Sequence, residues 1–260
     1  MPMSTADYYI DPARPSPKFR PFTAWRHMQR LLADKEDTEQ VFHIIEALNG
    51  KNAVNDFERF MATPSGQAQL ARRTYLPPIL DDHEPLHDLP KGTVGRTYVE
   101  FMEREGLSAA GLVAESEKRD SEWRHHDDDL LWFGNLRRDT HDMYHILTGY
   151  GRDGLGEAAL LGFTHSQHGG LGISFIAYMG GRQINREAPR HARIRDVIRE
   201  GRENGKTARR LIEYDVEALL PRQLEDVRRE LNIPEPVLYK RALRILQEAG
   251  LGEPAGAMAA

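Results

Sequence analysis

The 260-residue chain contains no cysteine. This absence excludes disulfides, thiol nucleophiles, iron–sulfur clusters and cysteine-based zinc sites, so any metal must be held by His, Asp, Glu or backbone oxygen. The chain also lacks a basic block: 35 Lys and Arg face 40 Asp and Glu, which gives a net charge of −5. No nucleic-acid partner is therefore expected, because phosphate neutralisation needs clustered cations.

Long apolar runs are missing as well. No stretch reaches the roughly 20 apolar residues that a membrane-spanning helix needs. The closest approach is segment 158–180, which polar residues such as Thr164 and His165 interrupt, and we interpret it as buried within protein. The first residues contain neither an apolar run nor an Arg-rich, acid-poor pattern, so no secretory signal or transit peptide is predicted. We expect a cytoplasmic protein.

What the sequence does contain is helical periodicity, with few alternating runs and no convincing hairpin turns. It predicts an all-α fold, a single multi-helix domain. Its parts are an N-terminal arm and helical layer (1–75), a helical core with the metal site (76–235) and a C-terminal helix and tail (236–260). Helices are predicted over 22–33, 94–105 and 205–219. A loop is predicted over 77–90, and a solvated acidic helix start over 125–129.

The stretch HDMYHILTGYGRDGLGE carries the candidate chemistry. On a helix, residues i and i+4 lie on one face, so His141 and His145 can share a metal ion. Glu157 follows His145 by twelve residues, which in a continuous helix is roughly 18 Å of rise. The intervening glycines break the helix, and a second helix starting near Glu157 can return its carboxylate to the His pair. Such a donor set suits zinc or another divalent ion.

Two alternatives stay open at this site. Asp142 is either a further metal ligand or a general base beside the metal, and the sequence does not decide between them. The His pair itself can also be a surface or hydrogen-bonded core pair without any metal, since two His at helical spacing are a weak signal. His165 and His168 either line a substrate cavity or are polar core residues with hydrogen-bond partners.

The same string resembles the signature of the Coq-four family of ubiquinone (coenzyme Q) biosynthesis proteins, in which His-Asp-x-x-His precedes a Gly-Glu by eleven to twelve residues. Upstream, LPKGTVGRTYVEFM and HDDDLLWF are similar to further segments of that family. Downstream, NGKTARRLIEYDVEALLPRQLEDVRRELNI resembles its C-terminal helices. The resemblance covers about residues 76–233.

This resemblance implies a helical protein with a divalent metal, zinc by expectation, that acts on polyprenylated aromatic precursors and associates with other ubiquinone-biosynthesis enzymes. The metal ligands it implies are His141, Asp142, His145 and Glu157. The apolar segment after Glu157 would hold the prenyl tail, or else is plain core. As lipid-binding residues of this segment we single out Phe163, His165, Ile173 and Phe175.

We therefore predict a lyase: a metal-dependent, oxidative C1 decarboxylase of a polyprenylated 4-hydroxybenzoate, with Asp142 as the catalytic residue. The expected protein is a homodimer that lies peripherally on the inner face of a bacterial cell membrane. Two other functions remain open. One is a non-catalytic lipid-binding scaffold for the pathway enzymes. The other is a metallohydrolase, which an Asp at position 142 in place of Glu disfavours.

Overall fold

The computed structural model of the protein describes residues 8–16, 18–34, 37, 39–118 and 122–251. Within these residues every regular element is a helix, and the one extended pairing is an isolated bridge between Thr93 and Gln223. The all-α prediction is confirmed. In the same part of the chain, no helix has the length and apolar character needed to cross a bilayer. The predicted tail beyond 251 lies outside the described residues.

Sixteen α-helices follow one another in the described chain. The first eight are α1 Pro21–Ala33, α2 Glu39–Asn49, α3 Asn52–Met61, α4 Pro64–Arg72, α5 Pro77–Asp81, α6 His83–His87, α7 Val94–Glu105 and α8 Ala109–Glu117. The others are α9 Asp129–Asp139, α10 His141–Thr148, α11 Gly154–His168, α12 Leu171–Glu187, α13 Ile194–Thr207, α14 Val216–Leu219, α15 Leu224–Glu230 and α16 Val237–Glu248. Short 3-10 turns occupy Glu122–His125, Arg190–Ala192 and Leu211–Glu213.

Helix α7 shows how local sequence sets the helix bounds. The Thr93 hydroxyl accepts a hydrogen bond from the Arg96 N–H, which caps the start of the helix. Gly106 ends it in the left-handed conformation at φ 67°. Between these ends, Tyr98 and Phe101 are buried in the main hydrophobic core. The predicted helix 94–105 is confirmed at both ends.

Helices α11 and α13 form the closest helix pair of the core. A Cβ atom on Gly201 of α13 would lie 2.2 Å from the carbonyl oxygen of Ala159, and one on Gly205 would lie 2.4 Å from that of Phe163. Only glycine therefore allows the two backbones to touch along two turns. This contact fixes the position of α11, the helix that carries Glu157.

A smaller hydrophobic cluster joins the N-terminal helices to this core. Helices α1 and α2 bury Ala24, Met28, Ile44 and Leu48 together, and Ile176 of α12 completes the cluster. Helix α12 thus packs against α11 and α13 on one side and against α1 and α2 on the other. The N-terminal helical layer covers the α12 surface that the core leaves open.

Two predicted secondary-structure segments are wrong. The predicted loop 77–90 contains α5 and α6, because Pro77 and Pro78 occupy the first turn of α5, where a missing N–H costs nothing. The predicted helix 205–219 is interrupted instead: α13 continues to Thr207, and a 3-10 turn then separates it from α14. Periodicity alone did not show where the backbone turns.

The acidic segment 125–129 is also not the solvated helix start that the sequence predicted. Asp128 caps α9 and is buried at 3% exposure, and Asp129 is buried at 4%. Both carboxylates instead bind the N-terminal arm. Asp128 accepts hydrogen bonds from the Arg14 guanidinium (Oδ1 to Nη2, 2.6 Å) and from the Asp11 N–H (3.0 Å). Asp129 accepts from the Tyr9 N–H at 2.7 Å. These bonds satisfy charges that burial would otherwise destabilise.

Candidate metal centre

Helix α10 presents the two imidazoles of the signature. His141 is its first residue and His145 follows one turn later, so both rings project from the same side. Their ring centroids lie 5.1 Å apart with the planes at 88°. His145 is almost fully buried, whereas the side chain of His141 retains 32% exposure. The pair therefore reaches from the interior towards the surface.

A glycine turn returns the chain to this pair. Gly149 ends α10 in the left-handed region at φ 75°, which an L side chain rarely adopts. Four residues later, Asp153 caps α11 by accepting hydrogen bonds from the N–H groups of Leu155 (3.2 Å) and Gly156 (3.1 Å). A Cβ on Gly156 would lie 2.1 Å from the carbonyl oxygen of Gly151. The turn is thus compact enough to place the first turn of α11 against α10.

Tyr239 of α16 holds this turn from outside. Its hydroxyl donates a hydrogen bond to the Asp153 carboxylate and accepts one from the Gly151 N–H at 2.9 Å. Burial and the neighbouring Asp153 carboxylate both raise the pKa of the Tyr239 phenol, so it stays protonated. The C-terminal helix therefore fixes the segment that joins the two imidazoles to Glu157.

The turn brings Glu157 to both imidazoles. Its Oε1 atom lies 3.2 Å from Nε2 of His145, and its Oε2 atom lies 3.9 Å from Nε2 of His141. One potential ligand atom from each of the three residues lies within 4.8 Å of the other two. The predicted return of Glu157 to the His pair is therefore what the structure shows.

The surroundings of His145 fix the orientation of its ring. Its Nδ1 atom lies 2.9 Å from the Tyr150 carbonyl oxygen, which fixes the proton on Nδ1 and leaves a lone pair on Nε2. That Nε2 atom is buried and faces the Glu157 carboxylate, whose Oε1 atom lies 3.2 Å away. Phe101 stacks on the ring at 5.8 Å between centroids and shields it. Either a proton on Nε2 or a cation bound between the imidazole and the carboxylate would satisfy both buried groups.

Charge interactions between Glu157 and the two imidazoles shift the pKa values of these side chains. Burial alone would favour neutral His145, yet the Glu157 carboxylate outweighs it and raises the pKa of this imidazole. Burial would likewise favour neutral Glu157, yet the two imidazoles lower the pKa of its carboxyl group. The site therefore favours a carboxylate paired with positive charge, which is the electrostatic environment that a divalent ion provides. The residues present fit such an ion.

Asp142 does not join this group. It is buried at 8% exposure, but its oxygens are not among the ligand atoms that converge. Its negative charge acts on both imidazoles from outside the donor group, and also on Tyr98 of α7, where burial and then the Asp142 carboxylate raise the pKa of the phenol. The geometry therefore leaves Asp142 beside the three donors rather than among them, and its role stays a prediction.

The four residues predicted to bind lipid do not lie in one cluster. Phe163 is fully buried in the main core, with its ring edge-on to Tyr144 at 6.3 Å. The Nδ1 atom of His165 lies 3.0 Å from the Gly170 carbonyl oxygen. Ile173 is buried, whereas Phe175 packs against the smaller cluster of α1, α2 and α12. A prenyl-binding role for these side chains stays a prediction.

Sequence reasoning missed a buried polar network next to the candidate centre. The Asp56 carboxylate accepts a hydrogen bond from Nδ1 of His168 at 2.9 Å, and the Tyr144 hydroxyl lies 3.1 Å from Nε2 of the same ring. Because the carboxylate fixes the proton on Nδ1, the Tyr144 hydroxyl is the donor to Nε2. Arg59 and Arg210 also donate to Asp56, at 2.9 and 2.6 Å.

This network ties together helices that hold the metal ligands. Tyr144 lies on α10 between the two His, and His168 is the last residue of α11, the helix that carries Glu157 near its start. Burial, then the charge of Arg137, lower the pKa of His168 to about 4, so the ring is neutral near neutral pH. Of the two interpretations offered for His168, the hydrogen-bonded core residue is confirmed. No motif could have found Asp56, because it is remote in the sequence.

The fold and the site together define an all-helical protein with a two-His, one-carboxylate candidate metal centre at a helix–turn–helix. The chain matches the family model of Coenzyme Q (ubiquinone) biosynthesis protein Coq4 over residues 26–237. The protein belongs to this family. The match includes much of the N-terminal helical layer as well as the core.

Individual relatives agree with this assignment. The mitochondrial ubiquinone biosynthesis protein coq4 of Aspergillus fumigatus is 25% identical, over 95% of this chain and 89% of its own. That of Botryotinia fuckeliana is 28% identical, over 74% of this chain and 65% of its own. A crystal structure of a candidate ubiquinone biosynthesis protein from Nostoc punctiforme matches with a TM-score of 0.64 and 21% identity, over 84% of this chain and 100% of its own. At that identity it supports the fold.

Proposed function

We propose that this member of the family is a metal-dependent lyase that removes the C1 carboxyl group of a polyprenylated 4-hydroxybenzoate. The observation that carries the proposal is the convergence of one potential ligand atom from each of His141, His145 and Glu157 within 4.8 Å. These three residues would hold the metal ion.

The number of converging donors favours a catalytic centre over a structural one. Structural zinc sites are usually closed by four protein ligands, whereas catalytic sites have three and leave a position for substrate or water. Here three side chains of the described chain converge. A bound divalent ion would supply Lewis-acid stabilisation for the carboxylate or phenolate of the substrate. Zinc is the expected ion, although it has no redox chemistry of its own.

Each side chain has a defined task in this proposal. The Tyr150 carbonyl oxygen orients the His145 ring through Nδ1, so that Nε2 faces the site. Asp142, which lies outside the donor group, is the proton carrier. Loss of carbon dioxide leaves an electron pair at C1, and a proton from Asp142 can fill it. In the oxidative form, dioxygen would accept the electron pair and leave as hydrogen peroxide, while water supplies the hydroxyl group at C1 and the carboxyl group leaves as carbon dioxide.

The proposed location of the protein follows from the apolar tail of the proposed substrate. A polyprenyl tail keeps the substrate in the bilayer, so the enzyme is proposed to work peripherally at the inner face of the cell membrane, together with other ubiquinone-biosynthesis enzymes and as a homodimer. Phe163 and Ile173 are proposed to contact the tail. Because both are buried, this requires the tail to enter between helices.

The test uses the purified protein with a short-chain prenylated 4-hydroxybenzoate, with and without air, and measures metal content and carbon dioxide release. The wild type is expected to bind one divalent ion and to turn over substrate. His145→Ala should lose both metal and turnover, because a ligand is removed. Asp142→Asn should keep the metal and lose turnover. A matched control, His43→Ala, removes a surface imidazole and should change neither.

Each failure has a distinct meaning. Retention of metal in His145→Ala would refute the centre itself. Stoichiometric metal without carbon dioxide release, together with normal quinone production in cells complemented by Asp142→Asn, would favour the lipid-binding scaffold. Hydrolysis of peptides by the wild type would favour the metallohydrolase.

A further inference from the structure

One face of the molecule combines exposed aromatic rings with arginines. On α1, Phe22 is 90% exposed and Trp25, one turn later, is 47% exposed. On α12, Tyr178 is 59% exposed, and Phe175 packs one turn before it. The ring centroids of Trp25 and Phe175 lie 6.4 Å apart, so the aromatic side chains of the two helices meet at this point.

Helical spacing places cations on the same face. Arg26 follows Phe22 by four residues on α1, and Arg182 follows Tyr178 by four residues on α12, so each arginine lies one turn from an exposed ring. Both arginines are exposed. We call this surface the α1–α12 face, and its residues are Phe22, Trp25, Arg26, Phe175, Tyr178 and Arg182.

The charge of these two helices contrasts with that of the whole chain. Helix α1 contains Arg26 and Arg30 and no acidic residue, and α12 contains two arginines and a single acidic residue, Glu187 at its end. The chain as a whole carries a net charge of −5. A local excess of cations among exposed aromatic rings, in an acidic protein, indicates an anionic partner with an apolar layer beneath its charges.

We propose that the α1–α12 face docks on an anionic lipid bilayer, an inference that rests on the peripheral membrane location in the proposed function and assigns it to these residues. Aromatic rings favour the level of the lipid headgroups, and amphipathic helices with arginines lie in that interface with their apolar residues inserted. The anionic surface attracts Arg26 and Arg182 while Phe22, Trp25 and Tyr178 enter the headgroup region. A second copy of the chain fits this face less well, because a symmetric contact would bring together two surfaces that both carry excess positive charge.

Vesicle binding tests the proposal without using any enzyme activity, so its failure is distinct from failure of the proposed chemistry. The full chain is sedimented with phosphatidylcholine vesicles and with vesicles in which part of the phosphatidylcholine is replaced by phosphatidylglycerol. We expect binding to the anionic vesicles only, weakening as salt is added, because screening shortens the reach of surface charge. Brominated lipid should quench tryptophan fluorescence in the wild type and less so in Trp25→Phe.

Variants of exposed residues keep the fold intact. Neutralising both arginines in Arg26→Gln/Arg182→Gln should weaken binding about 25-fold, at about fivefold per charge. Phe22→Ser should weaken it about fivefold, since one ring no longer inserts. The matched control is Tyr75→Ser/Arg244→Gln, which removes an exposed aromatic ring and an exposed arginine elsewhere on the surface and should bind as the wild type does.

Several results would overturn the proposal. One is equal binding of neutral and anionic vesicles; another is wild-type affinity in the α1–α12 variants. Loss of binding in the control variant as large as in those variants would place the docking surface elsewhere. Binding to polyglutamate but not to any vesicle would show that the partner is an acidic polypeptide.

Discussion

The buried His168 ring should make the stability of this protein acid-sensitive above pH 4. Folding lowers the pKa of His168 from 6.5 to about 4, chiefly through burial and the charge of Arg137. In the unfolded chain, His168 therefore takes up a proton below about pH 6.5. In the folded chain, it takes up that proton only below about pH 4. The contribution of the neutral ring to the free energy of unfolding is therefore fully present above pH 6.5. It is lost as the pH falls from 6.5 towards 4.

The size of the effect follows from these two values. Between pH 7.5 and 4.5, linkage through His168 costs about 2.5 kcal/mol of the free energy of unfolding. The ring is 3% exposed, so solvent screening reduces this little. Protonation of Asp56 does not contribute to this pH dependence. Its pKa is lowered to about 2 in the folded chain, so the carboxyl group stays ionised between pH 7.5 and 4.5.

The experiment compares the wild type with His168→Gln. The variant loses the bonds to Asp56 and Tyr144, so it should be less stable at pH 7.5 by roughly 2–3 kcal/mol. At pH 4.5 most of that difference should vanish, because only the wild type has the histidine to protonate. Urea unfolding followed by circular dichroism, with chelator present to exclude metal effects, measures both values.

A matched control is His87→Gln, which removes a surface imidazole that pairs with Glu103 and leaves the buried network in place. Its stability should run parallel to that of the wild type at the two pH values. If the stability difference between the wild type and His168→Gln stays constant from pH 7.5 to 4.5, the idea of a neutral, buried His168 is wrong.

Two further predictions concern packing and the N-terminal arm. Gly201→Ala should lower the free energy of unfolding by about 2–3 kcal/mol, because its Cβ would meet a backbone oxygen of α11 at 2.2 Å. Gly180→Ala, with open space around its Cβ, should be neutral or stabilising by up to about 1 kcal/mol; equal thermal shifts in the two would contradict the close α11–α13 contact. Arg14→Ala should cost about 3 kcal/mol and expose residues 8–16 to proteolysis, because it leaves the Asp128 carboxylate buried without its cation. Arg20→Ala breaks an exposed ion pair and should cost under about 1 kcal/mol; equal proteolysis of both variants would show that the arm is held otherwise.

The sequence predicted those features that depend on local spacing. The bounds of α7 followed from Thr93 and Gly106, residues that act within one turn of the helix. The approach of Glu157 to the two imidazoles followed in the same way, because the glycine turn, both imidazoles and the carboxylate lie within a short segment. The helical class and the absence of a spanning segment also needed only composition and periodicity.

Features that depend on distant partners were missed. The acidic segment before α9 has the composition of a solvated cap, and only the fold brings Arg14 and the arm onto Asp128. Asp56 meets His168 across more than a hundred residues, and no spacing rule connects them. The α1–α12 face likewise could not be predicted from the sequence. The packing of α2 and α11 decides which side of α1 and which side of α12 stays exposed.

All three donors of the candidate centre lie between positions 141 and 157, so the ability to bind a cation belongs to one short piece of the chain. A denatured polypeptide would therefore still offer the three donors to the proposed ion, although Tyr239 of α16 fixes the turn between them only in the folded chain. The metal would then stabilise the native state by less than its affinity suggests, because the unfolded chain competes for it. Loading during synthesis, before the later helices have left the ribosome, becomes physically reasonable for such an arrangement.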